Sequence, residues 1–245
     1  MKSKCLFVIA FLFLQLTVVE INAQTKHGTQ QAIKTIKLPG VTITEVQDVL
    51  SGNFTLPVEK TITNLPAFIR VAFTSRPTIE SNIQSEIWLP KENWNGRFLG
   101  TGNGGGGGSI GYGSLASGIL RGFATANTNM GTSAGVIEAV SHPEIWADFG
   151  YRATHEMTVT SKVILQTYYN KSAQFSYFIN CSTGGQQALM EAQRYPNDYN
   201  GIIAGAPANN RTHLHASFIW NVKANTRITG EKIISQKKWS YFQGW

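Results

Sequence analysis

Cysteine is scarce, with two residues in 245. That count excludes a disulfide-built scaffold and any cysteine-based zinc module. Acidic residues are also few, 14 against 21 lysines and arginines, for a formal net charge of +7. The positive charges are scattered, and the densest group is Lys232, Lys237 and Lys238. A nucleic-acid groove needs a basic stripe with interleaved aromatics, so this pattern argues against nucleic acid as a partner. Charged residues reach only 14% and hydrophobic residues 42%, the balance of a packed globular protein rather than a disordered one. Heptads, collagen periods and tandem repeats are all missing. No apolar run has the roughly 20 residues that a membrane-spanning helix needs.

The longest apolar run, residues 5–19, follows Lys2 and Lys4 and is closed by Glu20. Ile21-Asn22-Ala23 then offers a small residue at a cleavage site, so residues 1–23 read as a secretory signal peptide. The expected location is secreted or periplasmic, with no stable membrane association. Cys5 leaves with this leader and Cys181 stays alone, as a thiol that is either inert or has lost its partner. Asn53-Phe54-Thr55, Asn170-Lys171-Ser172 and Asn210-Arg211-Thr212 are glycosylation sequons, which matter only in a eukaryotic secretory route.

Residues 24–84 form an N-terminal β-rich segment. Val41 to Val46 and Phe68 to Phe73 alternate in a way that predicts strands with one buried face. Short strands are expected at 85–90 and 96–100. A glycine tract follows over 100–113, then a short helix at 114–121 and a strand at 122–127. The helical spacing of Phe149, Ala153, Met157, Val163, Ile164 and Tyr168 predicts a long helix over 148–169, with Asp148 as its N-cap. A strand at 175–179, a helix at 184–194 and a buried strand at 201–207 complete the series. From residue 96 onward, strands and helices alternate, which predicts an α/β fold with a mostly parallel sheet covered on both faces.

Asn180-Cys181-Ser182-Thr183-Gly184-Gly185 falls between an expected strand and an expected helix. A serine in that turn, with glycine two residues later, is the setting of a nucleophile elbow. The Thr183 N–H then stands at a helix N-terminus, where it can stabilise an oxyanion. The usual pattern is G-x-S-x-G, and Asn180 replaces its first glycine. The competing reading is a glycine-rich helix start, with Ser182 or Thr183 capping the free N–H groups. The tract from Gly100 to Gly108 contains G-x-G-x-x-G, but no acidic residue follows about 20 positions on, so a dinucleotide site is disfavoured. No Gly-Lys-Ser/Thr follows, which excludes a P-loop. Two readings remain, a flexible loop and the second half of an oxyanion hole contributed by Gly105 and Gly106.

Taken together, the segments resemble the tannase/feruloyl esterase family. The resemblance rests on Trp88-Leu89-Pro90, Trp94-Asn95-Gly96-Arg97-Phe98, the glycine tract, Gly122 to Ala126, His142-Pro143-Glu144, Asp148 to Ala153 with His155-Glu156, Cys181 to Gly185, and Gly201 to Pro207. These segments cover roughly residues 85–222. The resemblance implies an α/β-hydrolase core and a secreted serine esterase of feruloyl or galloyl esters, whose substrate is a small aromatic ester. It implies Ser182 as nucleophile, with Thr183, Gly105 and Gly106 at the oxyanion hole. It also implies that Cys181 bridges to a cysteine beside the catalytic histidine. No cofactor is implied for catalysis, and a structural calcium is expected in an inserted lid domain.

Some of the pattern is not met. None of the five histidines, His27, His142, His155, His213 and His215, precedes a cysteine. The family's catalytic Asp and His are therefore expected to be absent from this chain, and Cys181 to lack its partner. Residues 223–245 read as the start of a truncated lid or as a divergent tail. Asn129 stands where the family often has an aspartate. The expected core is thus incomplete and the chain inactive as it stands. The alternative is a non-catalytic secreted remnant or binding protein on the same half-fold.

Overall fold

The structure is a computed structural model that describes residues 30–133 and 135–235. The expected leader lies outside the described residues, as do His27 and the tail beyond residue 235. The elements run α1 (Gln30–Lys34), β1 (Val41–Val49), β2 (Gly52–Thr55), β3 (Thr61–Leu65), β4 (Phe68–Ser75), β5 (Ile83–Pro90), β6 (Arg97–Thr101), α2 (Tyr112–Leu120), β7 (Ala124–Thr128), α3 (Pro143–Ala147), α4 (Ala153–Tyr169), β8 (Phe175–Ser182), α5 (Thr183–Arg194), β9 (Gly201–Pro207) and α6 (Arg211–Ala224).

Seven strands form one mixed sheet in the order β1-β4-β5-β7-β6-β8-β9. The β1-β4-β5-β7 side is antiparallel, and β7-β6-β8-β9 is parallel. The predicted alternation from residue 96 is therefore realised as parallel strands, because each crossover carries a helix. The fold is α/β with the strand-and-helix arrangement of an α/β-hydrolase core.

Two hydrophobic clusters sandwich the sheet. On one face, Met157, Ile164 and Leu165 of α4 and Ala188 of α5 pack on Ile69, Val71, Ile87, Phe98 and Phe178. On the other, Leu115 and Ile119 of α2 and the β2–β3 hairpin pack on Phe68 and Trp88. Strand β4 is consequently buried on both faces, and the expectation of one buried face fails there. Its alternate side chains enter different clusters, so apolar residues occur on both registers.

Arg70 sits in this apolar strand because it is paired. Its Nε donates to Glu86 Oε2 at 2.9 Å, its Nη2 reaches Glu86 Oε1 at 2.5 Å, and its Nη1 meets Glu45. Trp88 Nε1 and the Tyr112 hydroxyl also donate to Glu86, so the carboxylate is fully used.

Coverage of the parallel side is one-sided at its edge. Ile179 on β8 is 37% exposed and Ile203 on β9 is 61% exposed, so nothing among the described residues covers that face of the last two strands. Helices lie on both faces as expected, and among the described residues only the β8–β9 edge is thinly covered. The helix around residue 148 differs. A first turn begins at Pro143 with His142 before it, a π-helical turn spans Asp148–Arg152, and α4 follows. Asp148 is therefore not an N-cap. It is buried and accepts from Arg152 Nε at 2.5 Å, and burial raises its carboxyl above the usual range despite that partner. Proline at the first helical position is what sets the earlier start.

Candidate active site

Ser182 ends β8 and stands immediately before α5. Its backbone lies at φ 59°, ψ −121°, in a region that non-glycine residues rarely occupy. The turn leaves its side chain exposed at the C-terminal end of the parallel strands, where ligands bind in open α/β sheets. Its hydroxyl does not cap α5. The capping reading of this serine therefore fails, and the elbow geometry stands.

Asn180 occupies the place of the missing glycine without blocking the turn. Its Nδ2 donates to Gly102 O at 2.5 Å, and its Oδ1 accepts from Cys181 N at 2.7 Å. Room for its Cβ comes from Gly184, where an added Cβ would fall 2.4 Å from Asn180 Cβ. Gly185 allows the helix start to approach β9, since a Cβ there would fall 2.4 Å from Gly205 O.

The glycine tract is tied down rather than loose. Gly107 N donates to Gly104 O and Gly108 N to Asn129 O. Asn103 N donates to Gln187 Oε1 at 2.8 Å, and Asn103 Nδ2 donates to Thr128 O at 2.7 Å. Asn127 Oδ1 accepts from Gly111 N at 2.7 Å. Gly105 has φ 58°, which favours glycine at the tip of the turn. Asn129 is buried and its Oδ1 accepts from Gln84 N and Gly131 N, a purely acceptor role that an aspartate also fills.

The two halves meet at Thr183. Its hydroxyl donates to Gly105 O at 2.6 Å and accepts from Arg211 Nη2 at 3.0 Å. Ser182, Thr183, Gly105 and Gly106 all line one cleft of about 630 Å³. Aromatic walls come from Trp146, Phe149 and Phe218, with Gln186, Arg211 and His215 as further polar lining. The structure thus brings together the four residues that the sequence nominates. Cys181 faces away from them, lining the open β8–β9 face with Ile179 and Ile203, and among the described residues it is an exposed free thiol.

A fold of this kind, with a strained serine between parallel strand and helix and a glycine turn hydrogen-bonded to the next residue, directs attention to one set of hydrolases. The tannase and feruloyl esterase family model matches residues 69–243. The chain belongs to the tannase and feruloyl esterase family. The match runs past both ends of residues 85–222 and takes in most of the tail. An uncharacterized esterase of Xanthomonas campestris is 38% identical over 192 residues, covering 77% of this chain and 33% of that protein. Feruloyl esterase B of Aspergillus niger is 38% identical over 174 residues, covering 70% of this chain and 33% of its own length. The crystal structure of feruloyl esterase B from Aspergillus oryzae superposes with a TM-score of 0.76 at 33% identity, covering 82% of this chain and 41% of that one. This tannase-family chain therefore spans between a third and about two-fifths of these relatives.

The histidines divide by role. His155 pairs with Asp198 at 2.7 Å and stacks on Tyr195, away from the cleft. His213 is turned to Asn210 Oδ1 at 2.7 Å, and His142 is exposed with Glu80 at 3.8 Å. Among the described residues His215 is the histidine that shares the cleft with Ser182, and no hydrogen bond joins them. Among the described residues no group of three or more His, Cys, Asp or Glu side chains is able to hold a metal ion. No helix among them is long and apolar enough to cross a membrane.

Arg211, Gln186 and the aromatic walls are the site residues that sequence reasoning missed. In the sequence Arg211 stands out only as the middle of a sequon. Its signal is topological, because it opens the helix after β9, the strand beside the serine strand.

Proposed function

We propose that this tannase-family chain supplies the nucleophile and the oxyanion hole of a secreted or periplasmic carboxylic ester hydrolase acting on phenolic-acid esters of feruloyl or galloyl type. The supporting observation is Ser182 at φ 59° with Thr183 fastened to Gly105 across the cleft. In the reaction, Ser182 Oγ attacks the ester carbonyl and loses its proton to a base. The Thr183 N–H and an N–H of the Gly105–Gly106 turn hold the oxyanion, the alcohol leaves, and water releases the acid from the acyl-enzyme. Aromatic walls suit a phenyl ring.

Among the described residues no base is hydrogen-bonded to Ser182, and with those residues alone slow turnover is expected, since removing triad partners costs on the order of 10⁴-fold or more. The reading requires a histidine base with its aspartate, and it includes a structural calcium and a disulfide partner for Cys181. The ordering signal for export is residues 1–23.

The test is release of ferulate from methyl ferulate by the protein isolated from its host and by the 245-residue chain, each with and without Ser182→Ala. Serine-dependent hydrolysis by the host protein supports the reading. Its absence overturns the reading in favour of a non-catalytic binding protein. Ordinary enzyme rates from the 245-residue chain would show that it needs no further base.

A further inference from the structure

Two side chains of α5 reach across to the segment that leads into the glycine turn. Thr183 and Gln187 stand four residues apart on the helix, so they project from one face, one turn apart. Thr183 donates to Gly105 O, and Gln187 engages Asn103 twice. Gln187 Oε1 accepts from Asn103 N at 2.8 Å. Its Nε2 donates to Asn103 Oδ1 at 3.3 Å and to Thr154 Oγ1 of α4 at 2.9 Å. Gln187, Asn103 and Thr154 are all buried, and Gln187 is not part of the wall of the Ser182 cleft. A buried primary amide is costly unless its donors and acceptor are used, and both polar atoms of Gln187 are used.

The other supports of this segment come from the sheet. Asn103 Nδ2 donates to Thr128 O at the end of β7, Gly108 N to Asn129 O just beyond it, and Asn180 Nδ2 of β8 to Gly102 O. Those bonds hold the turn in place on the strands, but they do not fix it against α5, whose first residue is Thr183. Gly102 lets segment and helix approach, since a Cβ there would fall 2.7 Å from Gly184 Cα and 2.8 Å from Gln187 Oε1. A single tether at Gly105 leaves the segment free to pivot about it. A second at Asn103 removes the pivot. Oxyanion donors on separate segments act together only when both stand about 2.7–3.1 Å from one oxygen. A displacement of about 1 Å costs on the order of 10²-fold in rate.

We infer that Gln187 is a positioning residue for ester hydrolysis. It touches no substrate, and through Asn103 it sets the glycine turn against Thr183 so that N–H groups of both segments meet one carbonyl oxygen. This inference rests on the esterase reading of the Ser182 cleft and adds to it a residue outside that cleft.

The test compares the protein as its host makes it with the same protein carrying Gln187→Met, Thr154→Val or Thr154→Ser. Hydrolysis of methyl ferulate is measured at a temperature where near-ultraviolet circular dichroism shows each to be folded. Gln187→Met keeps the length of the side chain and removes both polar atoms. It is expected to lower kcat ~10-fold or more and to leave KM within about 2-fold, because the donors are lost to the transition state and not to the bound ester. Thr154→Val deletes the acceptor that orients Gln187 Nε2 and lowers kcat by a smaller factor, about 3-fold, while Thr154→Ser keeps the parental value. A folded Gln187→Met protein with parental kcat, or one whose loss lies in KM, overturns the inference. If Gln187→Met does not fold, Thr154→Val decides, and a parental kcat there overturns it. So does a Thr154→Ser protein as impaired as Thr154→Val. Failure of the esterase reading shows differently, as a parent protein without Ser182-dependent hydrolysis, and the inference then falls with it.

Discussion

Thr183 Oγ1 and Gly105 O lie 2.6 Å apart, a hydrogen bond that joins the helix behind Ser182 to the glycine turn in front of it. The partners are 78 residues apart in the chain, so this bond fixes the spacing of two backbone segments whose N–H groups face one cleft. Preorganised donors are effective because they do not reorganise during reaction.

Thr183→Val keeps the shape of the side chain and deletes the hydroxyl. Gly105 O then loses its donor and Arg211 Nη2 its acceptor. The expected loss of stability is about 1 kcal/mol. The more specific result is faster amide hydrogen exchange across residues 104–108, with exchange in β4 unchanged. An unaltered exchange pattern in the turn would show that the remaining bonds from Gly107 and Gly108 hold it alone.

Backbone strain at Ser182 predicts an order of stabilities. At φ 59° a side chain is strained and glycine is not. Ser182→Gly is expected to exceed Ser182→Ala in stability by about 1 kcal/mol, read from urea midpoints of the two variants. A glycine variant weaker than the alanine variant would mean that the turn carries no strain.

Asn180 and Gly184 are predicted to be coupled. Gly184→Ala would place a Cβ 2.4 Å from Asn180 Cβ and 2.6 Å from its Cγ, with no room to yield. All three nearest atoms belong to the Asn180 side chain. In an Asn180→Gly background the same alanine is tolerated, and the double-mutant cycle yields a coupling of more than about 1 kcal/mol. Additive effects would place the clash elsewhere.

Glu191 sets a pH dependence that is distant from the cleft. It is fully buried on α5, and its carboxyl oxygens face the Asp198 carboxylate with no donor among the described residues. Burial, reinforced by the Asp198 carboxylate and opposed by Lys162, pushes its pKa up to about 9. Below the ordinary glutamate value of 4.5 both the folded and the unfolded chain hold the proton. Between 4.5 and about 9 the unfolded chain releases it and the folded chain keeps it, so stability falls as pH rises through this window. Glu191→Gln removes this part of the slope. It makes the protein more stable than the parent at pH 8, with little difference at pH 4, as measured by urea unfolding at each pH. Asp148 and Glu156, whose carboxyls burial also raises, contribute slope of the same sign. A parent whose stability rises from pH 5 to pH 8 would contradict the assignment.

Much of this was legible because it is local. The strand at 201–207 and the helix ending at Arg194 follow from apolar runs, glycine and proline, which act within a few residues of themselves. The elbow was legible for the same reason, since Ser182, Thr183 and Gly184 carry it in consecutive positions. Asp148 was misread because capping depends on where the preceding turn begins, and Pro143 begins it five residues earlier.

By itself the sequence determined the α/β alternation, the serine turn at Ser182 and the glycine turn, since each is a matter of residue type and short-range spacing. Tertiary structure alone decided what converges on Ser182. Asn180 fits only because Gly184 lacks a Cβ across the turn, and Arg211 reaches Thr183 only because β9 pairs beside β8. Such contacts join residues by the sheet order, and spacing along the chain does not encode that order.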